Sequence, residues 1–460
     1  MTSIPPPAPH DRPIHPFGAV DLASAFQPIY SFSHRRLVGH EALLRATDGD
    51  GRPIAPPQLF AACTDLAQLR ALDRAARLGH SARFARDCEP AQWLFLNVDP
   101  SACDPLAEGP ALIAPLVDSI CTSGLSPHQV VIELLESALP DDLAFERWTG
   151  ALKAAGFLVA LDDFGAGHSN LDRVFRLRPQ IVKLDRSVIV RAGVDRTIRR
   201  VLAQMIALLH ECGAQVLVEG VETADEASLA LDADADLVQG YHFGRPAPVL
   251  RRSSERCDAL VEVWSGSDER ASREQRERAT RIEPYRRALV RAKSMLEAGH
   301  AMDEACRGFV ALEQADLCYL LDARGAHIAS SLVHRKPAAH AALPASPFAP
   351  LLDVREARWS RRPYFRNAIA APGRLQVTRP YPTMHSPLLS VTLSIALEVD
   401  GELRVLCGDK LWRPEGRDAY ADGGERPPPP PPPRARPDTS QVVAGWLEPG
   451  FVASDTITID

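Results

Sequence analysis

The chain has 460 residues, of which 45% are hydrophobic and 24% charged, proportions that exclude a mostly disordered or fibrous protein. This length exceeds one ordinary core and predicts two or three domains. With 52 Lys and Arg against 59 Asp and Glu, the net charge of −7 offers no overall basic surface for nucleic acid or anionic lipid.

The ends and the cysteines indicate where the protein works. Residues 1–19 contain a run of three prolines where a signal peptide needs an apolar segment, so a disordered leader is predicted there. No apolar stretch is long enough to span a membrane. The nine cysteines include no Cys-x-x-Cys pair, which argues against a zinc site or a disulfide framework. Reduced thiols in a cytoplasmic protein are expected.

Residues 20–250 alternate short apolar runs with helix-like segments, a rhythm that predicts βα units. The apolar runs are Phe26–Tyr30, Leu94–Val98, Val130–Leu134, Leu158–Leu161, Ile181–Leu184, Val216–Val218 and Leu237–Val238. The helix candidates between them include Leu59–Cys88, Leu143–Ala155 and Ile198–Cys212. Seven or eight such units predict a closed (β/α)8 barrel.

The remainder of the chain changes character three times. Residues 251–300 are dense in charge and predict a helical linker. Residues 301–413 predict an antiparallel α+β domain, with a helix over Met302–Glu313, a strand from Leu317 to a turn at Asp322–Gly325, and a returning strand over 326–332. Strands over 388–399 and 402–411 meet at Asp400-Gly401, a hairpin signal. Residues 414–460 form a polar tail with seven consecutive prolines, either an exposed stiff rod or a ligand for a proline-binding partner.

Polar residues interrupt or end the apolar runs of the predicted barrel. They are Asn97, Glu133, Asp162, Asp163, Lys183, Asp185, Glu219 and Gln239. In a barrel the carboxyl ends of the strands open on one face, so these side chains are expected to converge there. So many carboxylates repel one another unless cations neutralise them.

The ligand types indicate which cation. Carboxylate and amide oxygens without His or Cys favour Mg²⁺ or Mn²⁺ over zinc. Two such ions are the usual apparatus for attack of water on a phosphodiester. Two motifs resemble those of other protein classes. His40-Glu41 begins like an HExxH zinc motif, but Leu44 replaces the second histidine. Asp163-Phe-Gly165 resembles the DFG motif of protein kinases, but the other kinase motifs are missing from the sequence.

Five segments, taken together, resemble the EAL-domain family of cyclic di-GMP phosphodiesterases. They are His40-Glu-Ala-Leu-Leu-Arg45, Asp162-Asp-Phe-Gly-Ala-Gly167, Lys183-Leu-Asp185, Glu219-Gly-Val-Glu-Thr223 and Gln239-Gly-Tyr-His-Phe243 through Pro246. The resemblance covers about residues 20–250. It implies a modified (β/α)8 barrel of the TIM type with one strand reversed, and metal-dependent hydrolysis of cyclic di-GMP to linear pGpG.

The resemblance also implies roles. Glu41, Asn97, Glu133 and Asp162 would ligate one Mg²⁺ or Mn²⁺ ion, and Asp162, Asp163 and Asp185 a second. Glu219 would act as general base or water-orienting group, with Lys183 positioning the water. Substrate-binding roles fall on Gln27, Leu43, Arg45, Gln239 and Pro246. Glu136 and Glu222 would support the site. The alternative is that they are solvent-exposed residues at helix starts, which look the same in sequence.

Residues 301–413 resemble, more loosely, the PAS-like or Cache-like sensory modules that accompany EAL domains, on the basis of Arg362-Pro-Tyr-Phe-Arg366. The alternative is that Tyr364 and Phe365 fill the core of a dimerisation module. No ligand is predicted for this domain. We therefore expect a cytoplasmic, homodimeric phosphodiesterase regulated by its second domain; the rival hypothesis is a catalytically silent cyclic di-GMP receptor that signals to a protein partner. A nucleic-acid phosphodiesterase shares the metal logic, but no basic patch supports it.

Overall fold

The computed structural model describes residues 15–17, 20–98, 112–135, 142–167, 171–328, 333–334, 357–382 and 389–412. They form two compact units, the first extending to Arg270 and the second beginning at Ala271. The predicted proline-rich tail and the site candidate Glu136 lie outside the described residues.

The first unit alternates strands with helices, as the sequence predicted. Its strands are β1 (His15–Phe17), β2 (Val20–Ser31), β3 (Arg36–Thr47), β4 (Pro53–Ile54), β5 (Trp93–Asn97), β6 (Val130–Leu135), β7 (Leu158–Phe164), β8 (Ile181–Leu184), β9 (Gln215–Val218) and β10 (Leu237–Val238). Its helices are α1 (Pro56–Ala61), α2 (Leu66–Asp87), α3 (Ala114–Thr122), α4 (Asp142–Ala154), α5 (Leu171–Leu177), α6 (Arg186–Val194), α7 (Arg196–Glu211) and α8 (Ala224–Asp232). The long helix α9 (Asp258–Glu297) follows and continues into the second unit.

Eight of these strands close a barrel in the order β2-β10-β9-β8-β7-β6-β5-β3 and back to β2. Strand β2 runs antiparallel to both of its neighbours, while the other barrel strands pair in parallel. The prediction of a (β/α)8 barrel with one reversed strand is therefore confirmed. Strands β1 and β4 extend the sheet by pairing with β2 and β3.

Alternation along the strands separates two apolar layers. One set of side chains fills the barrel interior, and the opposite set packs against the surrounding helices. Strand β6 shows the pattern most simply, because Val131 faces inward while Val130 and Ile132 face the helices, and all three are buried.

Three predictions for this unit need correction. The helix predicted over Leu59–Cys88 is interrupted, because α1 ends at Ala61 and Asp65 caps α2 by accepting the amide of Gln68. Strand β3 was not among the predicted apolar runs, because polar residues such as Arg36 and His40 break up its pattern. The predicted disordered leader contains β1 at its end, paired with β2.

The second unit contains the rest of α9, helices α10 (Met302–Val310) and α11 (Pro363–Ala370), and an antiparallel sheet. Its strands are β11 (Ala315–Asp322), β12 (Val333–His334), β13 (Gln376–Val377), β14 (Tyr381–Pro382), β15 (Leu389–Val399) and β16 (Glu402–Trp412). They run in the order β12-β11-β16-β15-β13, with β14 also paired to β15. The predicted α+β character is confirmed.

Two hairpin predictions for this sheet had different outcomes. Asp400 and Gly401 take φ values of 54° and 77° between β15 and β16, the left-handed turn that an Asp-Gly pair favours. The strand predicted over 326–332 does not form in its described part, where Ala326 and His327 make only isolated bridges. Helices α9 and α10 pack on one face of the sheet and α11 on the other.

Two further observations concern the whole described chain. Every described cysteine is a free thiol. None of the described helices has both the length and the apolar composition that a bilayer crossing requires.

Candidate active site

The candidate site residues lie one layer above the apolar interior of the barrel. That interior contains Phe95, Val131, Ala160, Ile181, Leu217 and Leu237. Two positions further along the same six strands come Asn97, Glu133, Asp162, Lys183, Glu219 and Gln239. Because strand side chains alternate, each of these residues faces the same way as the apolar residue before it. In the reversed strand the order is inverted, so Gln27 precedes the interior residue Ile29.

Lys183 is the centre of this layer. Its ammonium nitrogen lies 2.5 Å from Oε1 of Glu133 and 2.6 Å from Oε1 of Glu219. Oδ1 of Asp162 is 3.2 Å away. The Lys183 side chain is 1% exposed, so these ion pairs are shielded from water and from screening by salt.

Glu41 is held from two sides. Asn97 donates its side-chain amide to Oε1 at 3.2 Å, and Gln239 donates to Oε2 at 2.6 Å. Asn97 ends β5 and Gln239 directly follows β10, so the carboxylate of β3 is oriented by donors on either side of that strand. Asn97 is thereby shown to contact the acidic set that the sequence analysis grouped it with.

Burial dominates the proton equilibria of the site. It raises the pKa of Glu133 well above the usual range, and repulsion from Glu41, Asp162 and Glu219 adds to this while Lys183 opposes it. Burial also raises the pKa of Glu219 to about 8, against the attraction of Lys183. For Lys183, burial favours the neutral amine, but the surrounding carboxylates outweigh it and raise the pKa well above the usual range. The single ammonium of Lys183 thus partly neutralises several carboxylates.

The donor set fits divalent cations. One carboxylate oxygen from each of Glu41, Glu133 and Glu219 lies within 4.8 Å of the other two, and the same holds for Asp162, Asp163 and Glu219. Oε2 of Glu133 is buried and receives no hydrogen bond. A buried carboxylate oxygen without a partner is costly, and an oxygen-binding cation such as Mg²⁺ or Mn²⁺ would satisfy it.

The chain bends sharply where β7 ends, which sets the direction of the two aspartates. Asp163 has φ of 58°, in the left-handed region, and its amide donates to Oδ1 of Asp162 at 2.9 Å. Gly165 has φ of 97°, and a Cβ there would lie 2.3 Å from Cγ2 of Val188. The turn therefore needs glycine at this position.

Several other site candidates that the structure describes have their contacts outside the central set. Asp185 caps α6 by accepting the amide of Ser187 at 2.9 Å. Gln27 lies opposite Glu41 across the β2–β3 pair and donates to the carbonyl of Gly244 at 3.2 Å. Arg45 is exposed, and Leu43 and Pro246 are half-buried.

Glu222 contacts Arg186 instead, through both carboxylate oxygens, and these side chains are 37% and 45% exposed. Arg186 was not among the predicted site residues, although its place at a helix start directly after Asp185 put a basic side chain near the predicted acidic set. His40, set aside there as half a zinc motif, faces away from the interior and accepts the amide of Arg251 at 3.1 Å.

Comparisons with known proteins agree with this geometry. The family model of the EAL domain matches residues 17–246. An uncharacterized protein of Azorhizobium caulinodans is 31% identical over 243 residues, which are 49% of this chain and 31% of that protein. The cyclic di-GMP phosphodiesterase RocR of Pseudomonas aeruginosa is 31% identical over 157 residues, 34% of this chain and 39% of RocR. The matched region thus spans well under half of these relatives.

A solved structure extends the likeness in fold. The Bacillus subtilis YkuI protein, which has an EAL domain and was solved with cyclic di-GMP and calcium, superposes with a TM-score of 0.70. The alignment covers 85% of this chain and 96% of that one, at 18% identity. The shared architecture therefore reaches beyond the barrel.

Proposed function

Because the chain belongs to the EAL-domain family, we propose that it hydrolyses cyclic di-GMP to linear pGpG with two Mg²⁺ or Mn²⁺ ions. The observation that carries the proposal is the acidic set around Lys183, whose carboxylates come from β3, β6, β7 and the residue that follows β9. The phosphodiesterase RocR and the cyclic di-GMP complex of YkuI support the choice of substrate.

The metal ions would be held by the residues that the family resemblance assigned. Glu41, Asn97, Glu133 and Asp162 would hold the first ion, and Asp162, Asp163 and Asp185 the second. When bound, the ions neutralise charge on the phosphate oxygens and lower the pKa of the attacking water.

The chain's own residues would then orient water and substrate. Lys183 occupies Oε1 of Glu219, which leaves Oε2 to accept the proton of the attacking water. The ammonium of Lys183 opposes negative charge that develops nearby. Gln27, Leu43, Arg45, Gln239 and Pro246 would bind the nucleotide, with Glu136 and Glu222 in supporting roles.

The proposal extends to regulation and location. The second unit would act as a PAS-like or Cache-like sensory or dimerisation module, and the protein would work as a homodimer in the cytoplasm, where free thiols persist. The division 20–250, 251–300 and 301–413 remains our proposal for the barrel, linker and module.

The test is product analysis of the purified chain with cyclic di-GMP and Mn²⁺. We expect pGpG from the unaltered chain and none from Glu219→Gln, while the variant still binds cyclic di-GMP in Ca²⁺. The exposed Glu211→Gln is the matched control and should behave like the unaltered chain. Binding without any pGpG from the unaltered chain would favour the rival receptor function, and absence of binding would overturn both.

A further inference from the structure

The residues that follow the barrel, 247–257, contact strands β2 and β3 and the residues just before β5; we call them the connecting segment. Ala247 and Phe26 of β2 exchange two backbone hydrogen bonds, at 2.7 and 3.0 Å. The amide and hydroxyl of Ser253 both donate to Oε2 of Glu89, shortly before β5, at 2.8 and 2.5 Å. The segment then leads directly into α9.

The connecting segment donates a hydrogen bond to a histidine of β3. The amide of Arg251 donates to Nε2 of His40 at 3.1 Å, and the ring is 0% exposed. The edges of Phe26 and Phe84 pack against the ring, with centroids 6.4 and 6.2 Å away. Because Nε2 accepts this hydrogen bond, the ring proton sits on Nδ1, which is buried without a partner.

His40 and Glu41 are adjacent on β3 and face opposite sides of the barrel wall. His40 faces the connecting segment and Glu41 faces the metal ligands, so any shift of the backbone between them moves both side chains. His40 is therefore the point where the connecting segment reaches the strand of a proposed metal ligand.

The β2–β3 pairing is least regular at this point. Pro28 lies opposite His40 in the β2–β3 pair. The backbone amide and carbonyl of Phe26, two residues earlier, face Ala247 rather than β3, so by strand alternation Pro28 and His40 form a pair without backbone hydrogen bonds between them. The register also shifts between Ile29 and Tyr30. The register shift makes the strand pairing irregular next to His40, so the hydrogen bond from Arg251 is an additional anchor for this part of β3.

We propose that the connecting segment positions Glu41 for metal binding through the hydrogen bond from Arg251 to His40. His40 is thus a positioning residue that acts through Glu41. The inference rests on the proposed function, since it assumes that Glu41 is a metal ligand. It also assigns to the segment before α9 a direct influence on metal affinity.

The experiment removes the hydrogen bond from each side in the full chain. His40→Leu removes the acceptor, and Arg251→Pro removes the donor while leaving His40 in place. Arg251→Ala keeps the backbone amide, and His40→Gln keeps a side-chain acceptor, so both serve as conservative variants. Mn²⁺ affinity is measured by calorimetry without nucleotide, and folding is followed by thermal unfolding.

We expect His40→Leu and Arg251→Pro each to weaken Mn²⁺ binding by at most about tenfold, the low end of the effect of losing a direct outer partner of a metal ligand, because this hydrogen bond reaches Glu41 only through the backbone. Arg251→Ala and His40→Gln should bind like the unaltered chain. The double variant His40→Leu with Arg251→Pro should bind Mn²⁺ no more weakly than the single variant with the lower affinity, because both changes break the same interaction.

His210→Leu is the control for general damage. It removes the 2.7 Å contact between His210 and Asp236, ahead of β10 and away from the connecting segment, so it should lower the melting temperature without changing Mn²⁺ affinity. Folded His40→Leu and Arg251→Pro proteins with unaltered affinity, or losses that simply add in the double variant, would overturn the inference alone. Failure of the unaltered chain to bind Mn²⁺ would overturn the proposed function as well.

Discussion

The ammonium nitrogen of Lys183 lies 2.5 Å from Oε1 of Glu133, and both side chains are almost completely buried, at 1% and 0% exposure. Oε2 of the same carboxylate receives no hydrogen bond. Lys183 therefore pairs with one oxygen of the Glu133 carboxylate, while the other oxygen is left without a partner. Removing one partner of a buried ion pair typically costs about 3–5 kcal/mol because the other charge is left uncompensated.

We expect Lys183→Met to be destabilised in the presence of a chelator and to regain more stability than the unaltered chain when Ca²⁺ is added. The added ion takes over neutralisation of Glu133, Glu219 and Asp162. Thermal unfolding with and without Ca²⁺ measures both effects. Lys153→Met is the matched control, because Lys153 donates to the carbonyls of Leu177 and Arg178 rather than to carboxylates. Equal Ca²⁺ shifts in Lys183→Met and the unaltered chain would contradict this reading.

The sequence predicted the barrel because its strands are buried on both sides and its site residues end apolar runs. The period of two explains why Glu133, Asp162, Lys183 and Glu219 had to converge once the barrel closed. Glu41 needed the family resemblance, since β3 mixes polar and apolar residues too evenly to be recognised by pattern.

Other features depend on contacts that a linear pattern does not encode. The pairing of Glu222 with Arg186 joins two long, partly exposed side chains 36 residues apart, and nothing in their spacing selects that partner. The contact of His40 with Arg251 spans 211 residues and uses a backbone amide. Asp185 caps a helix in the structure, a local role that a carboxylate before a helix also predicts.

Gly240 lies where two backbones nearly touch. A Cβ at this position would stand 2.0 Å from the oxygen and 2.3 Å from the nitrogen of Val221. Neither side can move freely, because Val221 donates to the carbonyl of Gln239 at 3.1 Å and accepts from the amide of His242 at 3.0 Å. We expect Gly240→Ala to lower the free energy of unfolding by about 3 kcal/mol. It should also weaken cyclic di-GMP turnover, because Gln239 would lose its 2.6 Å contact with Glu41.

Gly193→Ala is the matched control for this change. Gly193 lies in helix α6. The same added methyl group would lie 3.9 Å from Cδ1 of Leu229, which is an ordinary contact. Alanine favours helix over glycine by about 1 kcal/mol, so this variant should be as stable as the unaltered chain or more so. Urea unfolding and turnover assays on both variants decide the matter, and a Gly240→Ala protein with normal stability would contradict the close approach.

Glu222 tests whether a partly exposed ion pair matters to the reaction. Such pairs contribute at most about 1 kcal/mol, so Glu222→Gln should change the free energy of unfolding by less than that. If Glu222 only supports the site, turnover should fall by no more than about tenfold, which corresponds to 1.4 kcal/mol. Arg186→Gln should give a similar loss, since each variant removes the same pair. A Glu222→Gln protein as inactive as Glu219→Gln would place Glu222 within the catalytic machinery.

The second unit contains a buried carboxylate whose protonation should govern stability. Asp409 of β16 accepts the hydroxyl of Thr392 at 2.6 Å. Burial raises its pKa from 3.8 to about 7, the Thr392 hydrogen bond opposes the shift, and Asp316 adds to it. Between pH 4 and pH 7 the folded state therefore holds a proton that the unfolded state has released. Stability should fall as pH rises through this window and level off above it.

Asp409→Asn removes this ionisation while keeping an oxygen for Thr392. We expect the variant to match the unaltered chain near pH 4 and to exceed it at pH 8 by at most about 4 kcal/mol, the free-energy equivalent of the shift. Thermal unfolding of the full chain between pH 4 and pH 8 measures the divergence, and hydrogen exchange at pH 8 should show extra protection in β15 and β16. The control is Asp400→Asn, an exposed position in the hairpin turn, which should leave the pH dependence unchanged. Parallel pH curves for Asp409→Asn and the unaltered chain would show that Asp409 does not change its protonation on folding.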